Sequence, residues 1–169
     1  MSERTRRVAL SGLLTAMMVV LGYFDSVIQL PIPVPGIKLG LANSVLLYAV
    51  YMLPAGQTLL LMALKVLVTG FLFGNPQVML YSFAGGLLSV LAMLLCRRAK
   101  GLSAVGASVA GAAFHNVGQV LVAAWQLDLP ELFTFYLPVL LLVGILTGVL
   151  TGTVAQMVMK YLRRAPRAR

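Results

Sequence analysis

The chain has 169 residues, 60% of them hydrophobic and 10% charged, with a mean hydropathy of +0.97. A soluble domain carries about 25% charged residues, so the composition points to an integral membrane protein, and six spans of about 20 residues would leave no room for a soluble domain. The net charge of +9 does not mark a nucleic-acid binder, because the basic residues sit at segment ends without interleaved aromatics or a base-reading module.

Taken in order, the apolar stretches predict an all-α bundle of six transmembrane helices in one domain covering residues 1–169. After the basic start Arg4, Arg6 and Arg7, a first span is expected over about 8–30. It shows no small-residue cleavage site in the right place and is read as a retained helix. Near its basic end it carries Ala9, Gly12 and Ala16, a seam of small residues. Pro31, Pro33 and Pro35 then alternate, which makes a stiff extended connector ending in Gly36-Ile37-Lys38. A short second span is expected over about 39–53, which either enters at the edge of the hydrocarbon or belongs to a broken helix. Pro54-Ala55-Gly56 turns the chain into a third span, about 57–73, and Gly74-Asn75-Pro76 turns it into a fourth, about 78–95. Spans five and six are expected over about 102–125 and 133–161, the last with Gly144, Gly148 and Gly152 in overlapping GxxxG patterns.

Eleven of the thirteen Lys and Arg residues fall at the N-terminus, in the loop after span four and at the C-terminus. Six spans put all three on one side, and the positive-inside rule makes that side the cytoplasm. The expected location is the bacterial cytoplasmic membrane, with membrane lipid around the bundle.

Polar groups at bilayer depth are costly and usually point into a bundle or cavity. Span five holds the chain's only histidine, His115, followed by Asn116 and Gln119; at i,i+4 the imidazole and Gln119 share a face, continued by Ser108, Gly111 and Ala112. Lys65 stands close to the midplane in span three, where a lysine costs about 2.5–3.5 kcal/mol on insertion scales. It either contacts an anionic ligand or pairs with Asp25, and Thr58 and Thr69 are expected on its face. Asn43 either contacts ligand or caps the start of span two, and Lys38 is a guide for anions or an interfacial lysine. Together, Lys65, His115, Asn116, Gln119, Asn43 and Lys38 form the candidate wall of a substrate site.

Other chemistry is disfavoured. With Cys96 as the only cysteine, neither a disulfide framework nor a cysteine-rich metal site forms within one chain. No second His, Cys or Glu lies at ligand spacing from His115, so no metal is expected. The chain has no GxxxxGK[ST] motif and no serine or cysteine triad. Its two aspartates, Asp25 and Asp128, lie far apart and do not make the carboxylate cluster that magnesium diphosphate requires. No catalytic residue or cofactor is expected.

The run Pro33-Val34-Pro35-Gly36-Ile37-Lys38-Leu39-Gly40-Leu41-Ala42-Asn43, followed by His115-Asn116-Val117-Gly118-Gln119, resembles the Gx transporter family, also described as heptaprenyl diphosphate synthase component I. That family looks similar to the substrate-binding S components of energy-coupling factor (ECF) transporters. The resemblance implies capture of a small nutrient from outside by a six-helix protein with both termini inside. It implies docking through Ala9, Gly12 and Ala16 onto a transmembrane coupling subunit driven by ATPases. It also hints at an exported NusG-domain-like protein as neighbour and at a redox-related ligand; the two lysines and the apolar walls suit an anionic compound, with a carboxylated quinone precursor, a flavin or a polyprenyl phosphate as candidates. The synthase description implies an enzyme of polyprenyl diphosphate metabolism, and a structural anchor for an exported redox complex is a third reading.

Overall fold

A computed structural model describes residues 2–27 and 40–164; Lys38 and the proline-rich connector lie outside them. Six α-helices follow in chain order: α1 (Glu3–Val27), α2 (Leu41–Met52), α3 (Ala55–Phe73), α4 (Pro76–Arg98), α5 (Ala104–Leu127) and α6 (Leu137–Arg164), with a π-helical turn over Leu132–Tyr136 leading into α6. Among the described residues there is no strand. Five helices are long and apolar enough to cross a membrane, and α2 is a shorter apolar helix.

The ends of the helices follow local chemistry. Asn75 caps α4, its Oδ1 accepting from the Val78 N–H at 2.8 Å, and Pro76 takes the first helical position, where its missing N–H costs nothing. Ser103 caps α5 in the same way, accepting from Gly106 N–H at 3.1 Å. Asp128 closes α5 in the left-handed region at φ 51°, and Leu129 N–H returns to Ala124 O.

The short helix is the centre of the bundle. At about 1.5 Å per residue, its 12 residues reach only about 18 Å. It packs against all five other helices and buries Ala42, Val45, Leu46, Leu47, Ala49 and Val50, residues that cover a little more than half of its circumference. Both its ends are held by side chains from elsewhere. At the start, Gly40 turns in the left-handed region (φ 73°), and Asp25 of α1 accepts from Leu41 N–H (Oδ1, 3.1 Å) and Ala42 N–H (Oδ2, 3.4 Å). A carboxylate at a helix N-terminus is favourably placed against the dipole. At the far end, Arg97 of α4 donates to the carbonyls of Val50 and Leu53. Thr58 of α3 donates its hydroxyl hydrogen to Ala49 O and Pro54 O, both at 3.2 Å.

Glycines set how closely α4, α5 and α6 approach. A Cβ added at Gly118 would lie 2.7 Å from Ala84 O and 2.8 Å from Gly85 Cα, so α4 and α5 cross backbone to backbone. On the other side of α5, a Cβ at Gly148 would lie 2.8 Å from Val109 Cα, and one at Gly152 would lie 2.7 Å from Ser108 Cβ. The GxxxG stripe of α6 is therefore spent inside the chain, on α5. The outward surface is apolar, with Leu95, Phe71, Trp125, Leu142 and Leu146 all exposed, as helices facing hydrocarbon require.

Candidate functional site

All six helices contribute to one cavity of about 150 Å³. Asn43 of α2 lines it with Lys65 and Thr69 of α3; His115, Asn116 and Gln119 of α5 line it from another helix. Five of the six candidate wall residues therefore share one chamber, and the sixth, Lys38, lies outside the described residues. Apolar surface comes from Val66, Phe73, Val78, Met79, Leu140 and Val143. At the rise of an α-helix, Lys65 stands about 15 Å from the start of α3, deep in the span.

The polar groups are tied into the framework in different ways. Lys65 Nζ donates to Asn43 Oδ1 at 3.4 Å, a long contact between α3 and α2. Asp25, 7% exposed, also lines the cavity while it holds the first turn of α2. Asn116 Nδ2 donates to Leu140 O at 2.7 Å, and the same nitrogen lies 2.6 Å from where a Cβ on Gly144 would stand. The Asn116 amide therefore seats on a glycine of α6 and ties α5 to it. Thr69 returns its hydroxyl hydrogen to Lys65 O at 2.8 Å.

Some residues stand elsewhere than their helical spacing suggests. Thr58, expected on the Lys65 face, is fully buried at the α2–α3 junction and does not line the cavity. The reason is that α2 covers the lower half of α3, so its face seven residues below Lys65 meets a helix end. Ser108 pairs with Thr151 at 3.2 Å, and these hydroxyls with Ser89 line a second void of about 10 Å³, large enough for about one water. Ser82 and Thr147 line the main cavity, although nothing in the sequence distinguishes them from other hydroxyl residues in spans. Ala9, Gly12 and Ala16 are exposed along α1, and a Cβ on Gly12 would meet nothing within 4 Å. Among the described residues, no group of three or more His, Cys, Asp or Glu side chains is arranged to hold a metal ion.

A family model described as heptaprenyl diphosphate synthase component I matches residues 14–158. The chain belongs to the heptaprenyl diphosphate synthase component I family. The matched stretch of this family member includes every cavity residue named above, together with Ala16, while Ala9 and Gly12 precede it. No curated protein and no solved structure matches the chain.

Proposed function

We propose that this membrane protein of the heptaprenyl diphosphate synthase component I family is a substrate-binding subunit of an ECF-like uptake system. In this reading residues 1–169 form one transmembrane domain that crosses the bacterial cytoplasmic membrane with both termini inside. The cavity takes a small anionic compound from the outer side, and the exposed face of Ala9, Gly12 and Ala16 meets a transmembrane coupling subunit served by ATPases.

The observation that carries the reading is the company Lys65 keeps. An ammonium near the middle of a span lines a chamber together with an imidazole, three side-chain amides and apolar side chains such as Val66, Leu140 and Val143. That combination suits a carboxylate or phosphate attached to an apolar body. Pockets for drug-sized ligands usually run to about 300–1,000 Å³, so about 150 Å³ favours a compact acid, or the head of a longer molecule, over a whole flavin. Asn43 and Gln119 supply amides around the acid, and Lys38, at the end of the connector, remains its candidate guide.

The family description names a synthase component, and prenyl transfer needs clustered carboxylates to hold metal and diphosphate. Of the two aspartates, Asp25 is engaged on the backbone of α2 and Asp128 closes α5. The role assigned here is therefore non-catalytic.

Mass spectrometry of small molecules that co-purify with the detergent-solubilised protein tests the binding claim. An acidic compound should accompany the wild-type chain and be lost from Lys65→Ala; an identical profile from both would sink the claim. Topology has its own check. In a Cys96→Ser background, a cysteine at Asn75 should react with a membrane-impermeant thiol reagent in intact cells, and one at Lys100 only after lysis. The reverse pattern would overturn the orientation.

A further inference from the structure

We propose that Gly85 is a positioning residue for the cavity: it seats the His115 imidazole and the Gln119 side chain while contributing no surface of its own to the chamber. The inference concerns the site assigned above as the binding site and adds a residue that neither charge nor polarity would single out.

Gly85 is buried in α4 and faces α5. A Cβ built on it would stand 2.7 Å from His115 O, 2.9 Å from Gln119 Cγ and 3.1 Å from His115 Cε1. These contacts touch both members of the i,i+4 pair that reaches the cavity from α5. The absent side chain is thus the seat against which the ring edge and the glutamine stem lie.

Neither helix has an easy way to yield. Gly118, one turn beyond His115, rests on Ala84 O and Gly85 Cα of α4, and on the opposite side of α5 Val109 Cα is met by Gly148 of α6. Because α5 is gripped through glycines on two sides, it has little room to retreat from an added methyl. Packed interiors transmit such strain to their neighbours, and the side-chain neighbours of Gly85 are the imidazole and the Gln119 stem. The adjacent Gly86 gives a natural control. It faces α3, where a Cβ would meet Met62 Sδ at 2.9 Å and Cγ at 3.1 Å, atoms of a flexible side chain that can swing away.

His115 is the only histidine, so its ring gives a single Hε1–Cε1 signal in the spectrum of histidine-labelled protein. In Gly85→Ala that signal should shift by more than its linewidth, while in Gly86→Ala it should stay in place, with both variants retaining wild-type helicity. An unmoved signal in folded Gly85→Ala, or equal shifts in the two variants, overturns the proposal. If Gly85→Ala does not fold, the wild-type chain decides. A nuclear Overhauser contact between Gly85 Hα and His115 Hε1 upholds the seating, and its absence overturns it. No ligand enters these measurements, so the seating of the ring and the binding role of the cavity stand or fall separately.

Discussion

Replacing Lys65 with methionine is expected to abolish stabilisation of the protein by small acids. Methionine has nearly the same length without the charge, so a bound acid loses a hydrogen bond to a charged donor, worth about 1.5–3 kcal/mol, or roughly 10- to 150-fold in affinity. Thermal unfolding in detergent, with and without the co-purifying acid, measures the loss. A variant that keeps its ligand-induced rise in Tm, or whose only change is a lower Tm without ligand, would remove Lys65 from the site.

The second large effect should come from one methyl group. Gly148→Ala puts a Cβ 2.8 Å from Val109 Cα and 3.2 Å from Val109 N, both backbone atoms that can move only if α5 and α6 part. Overpacking of this kind costs about 1–3 kcal/mol. The parting would also strain the Asn116–Leu140 bond beside the cavity, two turns away. Gly12→Ala is the counterpart. Its Cβ meets nothing within 4 Å, and alanine is favoured over glycine in a helix by about 0.5–1 kcal/mol. The isolated protein should therefore melt unchanged or slightly higher, although the same position is assigned to the partner face. Heating each variant and following the fraction that stays monodisperse separates the two; equal losses would mean that the α5–α6 seam is looser than its geometry implies.

The contrast between these glycines marks how far the sequence can be read. A GxxxG stripe announces close helix contact without naming the partner, and only the fold assigns that of α6 to α5. The spans themselves are legible because hydrocarbon forces backbone groups into helices and because Pro54, Gly74 and Pro76 interrupt the apolar runs. Lys65, His115, Asn116 and Gln119 are legible because polarity at depth is costly enough to demand a reason. Ser82 and Thr147 are not, since a small hydroxyl can satisfy itself on its own helix, as Thr147 does through Gly144 O at 3.3 Å. Arg97 reads as one of several basic residues that fix topology, yet it reaches back to α2 across the bundle. Asp25 is visible as an acid near a span end, but its service to Leu41 and Ala42 depends on a contact between two helices that sequence spacing does not specify.

That contact has a mechanical side. The carboxylate that steadies the first turn of α2 is rooted in α1, the helix whose outward face carries Ala9, Gly12 and Ala16. Tilting α1 away would strip two amide hydrogens of α2 of their acceptor. Asp25 therefore couples the position of α1 to the first turn of α2. Asn43, on the turn that Asp25 grips, touches Lys65, so the anchorage of α2 on α1 leads directly to the wall of the chamber.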